Sequence, residues 1–181
     1  MSPGNSAKAD SMQSSLDVDL KYADPMAVIK LERGWQRQIC DELERLADQL
    51  GGPLDVNLCK TINSCLQAEL PLCHRDEEVL FELMLQKEPD NTVLAACTGQ
   101  AISEHAAMQT YVFELQEPLS DMSLGITPGN PDTVGYMLRC CFEGMRHHLM
   151  WEDASIFRGQ TWDIPTVDME QLRLAMIRNR A

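Results

Sequence analysis

Apolar residues recur every three to four positions along four stretches of this chain, the spacing that places side chains on one face of an α-helix. The first stretch begins at Asp24-Pro25, residue types suited to the N-cap and the first helical position. It ends at Gly51-Gly52-Pro53. Its apolar positions are Val28, Trp35, Ile39, Leu43, Leu46 and Leu50. The pattern predicts a long amphipathic helix that buries this face.

A second helix is predicted to open near Asp55 and to continue until Pro89. Its apolar positions are Leu58, Ile62, Leu66, Leu70, Leu80 and Met84. Pro71 lies inside this span. Because proline has no N–H and its ring clashes with the preceding turn, we expect it to kink or split the helix.

Two more long helices and a short one complete the pattern. The third is expected at about 91–117 and the fourth at about 132–158, with a proline-containing loop at 118–131 between them. A short helix is expected to begin near Thr166. Short connections favour antiparallel neighbours. The sequence therefore predicts an all-α fold, an antiparallel up-down four-helix bundle with a short C-terminal helix.

Composition sets the domain count and excludes several partners. Residues 1–23 are polar, which predicts a disordered tail before one bundle domain at 24–181. The net charge of −13 argues against nucleic acid and against anionic membrane surfaces, since both attract clustered Lys and Arg. The seven cysteines show no CxxC spacing, which favours reduced core thiols and a cytoplasmic location.

The strongest chemical signal is the pair His148 and Glu152, four residues apart and hence on one face of the fourth helix. At roughly 100° per residue, Val134, Cys141 and Met145 lie close to His148 on that helix, so the pair points into the apolar stripe. A lone buried carboxylate is very costly. We therefore expect Glu152 to have a partner, which is a metal, a cationic side chain or a proton.

The first and third helices also place polar groups on their apolar faces. His105 lies within the apolar face of the third helix. On the first helix Glu32 is in line with Val28 and Trp35, whereas Arg33 lies on the flank of that face.

On the second helix the centre of the apolar face is occupied by Cys73 and Glu77, another pair four residues apart. His74 and Glu78 lie roughly 100–140° around the helix from that centre, so they are expected to be more exposed.

Six side chains are therefore candidate metal ligands: Glu32, Cys73, Glu77, His105, His148 and Glu152. Each alone has a plainer explanation, because a single histidine on an apolar face is usually a core residue and a buried cysteine is often a small apolar filler. Histidine, cysteine and carboxylate side chains all bind first-row metals. Their coincidence on four helices favours a metal site.

Four segments resemble the helices of the hemerythrin-like, HHE cation-binding family. Residues 31–41 resemble the first helix, where the family typically has Glu-His and this chain has Glu32-Arg33. Residues 69–81 resemble its His-x3-Glu-Glu helix, and Ser103-Glu104-His105 resembles the Glu-His of its third helix. Residues 148–152 resemble its fourth helix, which has His-x3-Glu. The resemblance extends over about residues 25–180.

The resemblance implies a bundle that holds non-haem iron, or Mn or Zn, and that senses or handles metal, oxygen or NO. His105, His148 and Glu152 match the family's ligand positions directly. Two alignments with the second helix of the family are possible. Alignment through the upstream residues 69–72 places Cys73 and Glu77 at the remaining ligand positions. Alignment through the downstream Leu80-Phe81 places Leu72 and Asp76 there.

Two hypotheses about function follow. In the first, the bundle binds one metal ion through His105, His148, Glu152 and Glu77. Glu32 or Cys73 is an additional candidate ligand of that ion. A small diatomic molecule is a further candidate ligand of the protein. In the second, no metal is bound, and Arg33 pairs with Glu77 or Glu152. The protein would then act as a regulatory or assembly partner of another protein. No Ser-His-Asp order, phosphate loop or zincin motif is present, so we expect no enzymatic activity.

Overall fold

The computed structural model describes residues 23–157 and 166–180, and its regular secondary structure is entirely helical. The helices are α1 Pro25–Gln49, α2 Val56–Ser64, α3 Leu70–Lys87, α4 Thr92–Ser123, α5 Pro131–Ser155 and α6 Thr166–Asn179, with a π-helical segment, Cys65–Glu69, between α2 and α3. No strand occurs among the described residues, which confirms the predicted all-α class. The predicted disordered tail lies outside the described residues except for its last residue.

Short polar side chains cap four of the helices. The side chains of Asp24, Asp55, Asn91 and Asn130 each accept a hydrogen bond from the backbone N–H three residues later. Each cap satisfies an N–H that has no partner within its helix. The predicted starts at Asp24 and Asp55 are therefore confirmed.

The predicted interruption at Pro71 is confirmed, and it takes the form of a π-helical turn. In the segment Cys65–Glu69, the N–H of Leu70 donates to the carbonyl of Cys65, five residues earlier. Pro71 follows as the second residue of α3. The wider turn leaves room for a proline ring, which in a regular helix would meet the carbonyl of Gln67.

The predicted end of the third helix before Pro118 is wrong, because α4 continues through this proline to Ser123. Leu115, Leu119 and Met122 on either side of it are fully buried. Burying each such side chain stabilises the helix by roughly 1.5–3 kcal/mol, which together outweighs the cost of about 3 kcal/mol for proline inside a helix.

Ion pairs show how the long helices align. Arg33 pairs with Asp153, and Asp48 pairs with Arg139, so α1 and α5 run in opposite directions. Glu78 of α3 contacts His105 of α4, and Gln67 of the π-helical segment donates to the carbonyl of Val112 of α4. Helix α3 and the π-helical segment therefore run opposite to α4.

Helix α6 packs against α3, also in the opposite direction. Lys87 near the end of α3 pairs with Asp168 at the start of α6, and Asn179 at the end of α6 donates to Asp76. Leu172 and Met176 of α6 are fully buried. Within the described residues, no helix is both long and apolar enough to cross a membrane.

The buried apolar side chains form two clusters, one toward each end of the long helices. The larger cluster includes Leu43, Leu66, Leu115 and Leu138, and the smaller includes Val28, Phe81, Leu94, Ile156 and Leu172. On each of α1, α3, α4 and α5, the residues between the two clusters include buried polar side chains.

Candidate metal centre

A buried polar layer separates the two apolar clusters. Its members are Arg33 and Gln36 on α1, His74 and Glu77 on α3, His105 on α4, and His148 and Glu152 on α5, all at most 4% exposed. Burying so many polar groups is costly unless they bind one another or a ligand. The layer is therefore the place in the described chain where chemistry other than packing is concentrated.

Four of these side chains, Glu77, His105, His148 and Glu152, offer one ligand atom each, and these atoms all lie within 4.8 Å of one another. His105 Nε2 is 3.5 Å from Glu77 Oε2 and 3.8 Å from Glu152 Oε1, and His148 Nε2 is 3.4 Å from Glu152 Oε1. All four atoms are buried, and none has a hydrogen-bond partner among the described residues. They converge at separations longer than an ordinary hydrogen bond.

The spacing of these atoms suits a shared cation better than direct contact. Hydrogen bonds between nitrogen and oxygen are about 2.7–3.2 Å long, shorter than the three separations. Ligand atoms about 2.0–2.1 Å from a tetrahedral first-row metal lie roughly 3.3–3.4 Å from each other. Two imidazole nitrogens and two carboxylate oxygens form a donor set that iron, manganese or zinc accepts. The residues therefore fit a metal ion.

The outer nitrogens of both histidines contact carboxylates. His105 Nδ1 lies 3.0 Å from Glu78 Oε1, and His148 Nδ1 lies 2.8 Å from Glu104 Oε2. When Nδ1 donates its proton outward, the lone pair of a neutral ring is on Nε2. This atom faces the other ligand atoms of the group of four, Glu77, His105, His148 and Glu152. Metal-binding histidines in proteins are usually held in this way.

Arg33 supplies a positive charge on the other side of the two glutamates. Its Nη1 donates to Glu77 Oε1 at 2.8 Å and also to Glu152 Oε2. Its Nη2 donates to Asp153 and to the carbonyl of Leu149. One oxygen of each buried glutamate is therefore bound to Arg33, and the other oxygen is left facing the two histidines.

Charges within the layer alter its protonation. Burial alone would lower the pKa of His105, but the carboxylates of Glu77 and Glu78 raise it to about 9. Burial and the charge of Glu77 raise the pKa of Glu152 to about 7, although Arg33 opposes this shift. Without a metal, His105 is therefore protonated at neutral pH.

The expected exposure of His74 is wrong, since this side chain is only 4% exposed. Its ring stacks on that of His105, with centroids 4.0 Å apart and planes 4° from parallel. Burial and the neighbouring His105 lower the pKa of His74 to about 3, so it is neutral at physiological pH. Helices α1, α4 and α6 all contact α3, so the buried face of α3 is wider than its apolar pattern indicated.

Glu32 and Cys73 lie outside the group of four. Cys73 is buried, as expected, and it lines a cavity together with Glu32 and Arg180. Glu32 accepts a hydrogen bond from Arg180. Asp76, the position favoured by the downstream alignment, is fully buried but contacts Asn179 and Arg180.

The outer carboxylates Glu78 and Glu104 were not predicted as parts of the site. Glu78 is one-third exposed and was expected on the solvent side. Both residues are adjacent in the sequence to a member of the group of four, Glu78 to Glu77 and Glu104 to His105. A carboxylate next to a ligand position is the one sequence signal that indicates this role.

Comparison with protein-family models, with curated proteins and with solved structures found no match for this chain. The resemblance to the hemerythrin-like family rests on the four segments given above. The chemistry of the centre is therefore argued from its geometry.

Proposed function

We propose that this protein is a hemerythrin-like metal-binding protein that holds one non-haem metal ion, with iron first and manganese or zinc as alternatives. In this proposal α1, α3, α4 and α5 form an antiparallel up-down bundle, and α6 is the short C-terminal helix. The opposite directions of α1 and α5 and of α3 and α4 support this arrangement.

The observation that carries the proposal is the convergence of four buried ligand atoms, on Glu77, His105, His148 and Glu152, that have no hydrogen-bond partner in the described part of the chain. Each such atom costs roughly 1–3 kcal/mol when it is left unsatisfied. A divalent ion among them would satisfy all four and would balance the two carboxylates. Glu78 and Glu104 would hold the two histidine rings in place.

One ion rather than two is proposed because of Arg33. Its guanidinium binds the glutamate oxygens that do not face the histidines. A second cation beside those same oxygens would be repelled by this fixed charge. Arg33 thus supports a site with one ion.

The proposed role is that of a sensor or metal-handling protein without enzymatic turnover. The side chains of the four ligands are at most 4% exposed. A bound iron would supply a redox-active centre in this buried layer. Such burial suits a centre that reports its occupancy or oxidation state through the fold, and a small diatomic molecule remains the candidate ligand.

The second candidate function is a metal-free bundle that acts through its surface as a regulatory or assembly partner. The contact of Arg33 with both Glu77 and Glu152 favours it, because this pairing already compensates part of the buried negative charge. A protonated His105 would compensate the rest.

Metal analysis separates the two functions. Full-length protein without an affinity tag is stripped with a chelator, incubated anaerobically with Fe²⁺, or with Mn²⁺ or Zn²⁺, and freed of unbound metal. We expect close to one ion per chain. His148→Ala should lose most of it, because two carboxylates and one imidazole remain.

His147→Ala is the matched control, since His147 is the exposed neighbour on the same helix. Metal content equal in His148→Ala and His147→Ala would contradict the proposed centre. If the wild type retains none of the three metals, the metal-binding function is excluded and the metal-free function is supported.

A further inference from the structure

A cavity of about 530 Å³ opens beside the first turns of α1, with Arg33 in its wall. This volume is in the range of small-molecule binding sites. Lys30, Arg33 and Arg37 all line it and recur on one face of α1. Acidic residues outnumber Lys and Arg by 28 to 15 in the whole chain, so three cations around one cavity are a local reversal of the charge.

The two acidic residues of the cavity are already engaged. Asp24 accepts the N-capping hydrogen bond from Ala27. The two oxygens of Asp153 bind Arg33 and Arg37. The hydrogen bond from a neutral N–H leaves the charge of Asp24 in place, so the three cations and two carboxylates of the lining leave an excess of one positive charge.

Lys30 and Arg37, in contrast, have unused donors. Among the described residues, Lys30 forms no ion pair, and the single ion pair of Arg37 is to Asp153 through one nitrogen. Arg37 is about half exposed, and a guanidinium carries five N–H donors. The N-terminal end of α1 adds the positive end of the helix dipole. The side of the cavity formed by α1 therefore favours a negatively charged group on a ligand.

The rest of the lining is apolar. Met26 and Ile29 line the cavity, and so does Phe157, whose ring centroid lies 4.3 Å from the guanidinium carbon of Arg33. This arrangement leaves a cavity with a cationic side and an aromatic, aliphatic side. Its chemistry matches a ligand with one anionic group and a flat apolar body.

We propose that this cavity binds a small organic carboxylate, with the carboxylate between Lys30 and Arg37 and the apolar body against the half-buried Met26 and Phe157. The inference goes beyond metal binding and does not depend on it. Arg33 links the two sites, because the guanidinium in the cavity wall also binds Glu77 and Glu152.

Benzoate is a suitable probe, and its binding to the full-length protein is measured by calorimetry with and without metal. We expect saturable binding. The double variant Lys30→Gln, Arg37→Gln should weaken it roughly tenfold or more, since each substitution removes a charge-assisted hydrogen bond. Arg45→Gln is the matched control, because Arg45 is an exposed arginine of the same helix that pairs with Glu42 outside the cavity.

Four outcomes would overturn the proposal. Three of them are no saturable binding at millimolar benzoate, equal binding of benzoate by the double variant, and equal binding of the uncharged benzyl alcohol. Inorganic phosphate that competes with benzoate at equal affinity would also overturn it, because the apolar wall would then contribute nothing. The double variant should keep its full metal content, so failure of this proposal and failure of the metal centre are distinguishable.

Discussion

His148 Nδ1 lies 2.8 Å from a carboxylate oxygen of Glu104, and the Nε2 of the same ring faces Glu152 at 3.4 Å. A side chain on α4 thus orients a ring on α5 toward a carboxylate one turn further along α5. This contact connects the buried group of four to a residue that is about one-quarter exposed.

The first prediction concerns this contact. Glu104→Ala should weaken metal binding by roughly 10–100-fold, because the ring of His148 loses the partner that holds its orientation and its tautomer. The measurement is competition with a chelator of known affinity. Glu114→Ala, an exposed glutamate on the same helix, should leave the affinity unchanged. Equal affinities for the two variants would show that Glu104 does not position the ring.

The second prediction concerns Arg33. Arg33→Ala should lower the free energy of unfolding of the metal-free protein by about 3–5 kcal/mol, because it leaves the buried Glu77 and Glu152 without their cationic partner. Denaturant unfolding measures this change. Arg45→Ala removes an exposed pair and should cost less than about 1 kcal/mol. Similar losses for both variants would contradict a buried ion network.

The third prediction is a pH dependence of metal binding. The pKa of His105 is raised to about 9, so below that pH the metal must displace a proton from this ring. Affinity for Mn²⁺ should therefore rise from neutral pH toward pH 9, by up to about tenfold per pH unit. Calorimetry in buffers of different ionisation enthalpy should detect the released proton. An affinity that is flat or falls over this range would contradict the displacement of a proton from His105 by the metal.

The fourth prediction concerns Asp76, which binds Asn179 and Arg180 of the C-terminal region. Asp76→Ala should lower the free energy of unfolding by about 1–3 kcal/mol, since two partly buried donors lose their fully buried acceptor. Hydrogen exchange should accelerate at the buried residues Leu172 and Met176 of α6. Glu82→Ala, at an exposed position of α3, is the control. Unchanged exchange in α6 would mean that the contacts of Asp76 do not hold this helix in place.

Periodicity and capping residues predicted most of the helices, because both are local properties of the sequence. Asp24 and Asp55 cap the helices they were expected to cap. The same reasoning brought His148 and Glu152 to the buried face of α5, where a regular helix preserves the phase of its pattern. The end of α4 was misplaced, because the local cost of Pro118 is outweighed by the burial of Leu115 and Leu119, which depends on other helices.

The α3 part of the layer could be predicted only in part. Glu77 was expected in the core and lies there, but His74 was expected outside it and is buried beside His105. The burial of His74 depends on which helices pack around α3, and the residues of α3 alone do not specify this. The contacts of Asp76 with α6 could not be predicted from the sequence either, because they depend on how two helices far apart in the sequence pack together.

The polar layer between the two apolar clusters has a consequence for how uniquely the helices align. Apolar faces tolerate sliding by one helical turn, about 5.4 Å, because leucine can replace leucine in the same space. If α1 slid by one turn against α5, Arg33 would leave Glu152, and a charge would be buried alone. The layer thus selects one longitudinal alignment of the helices among several that hydrophobic packing alone would permit.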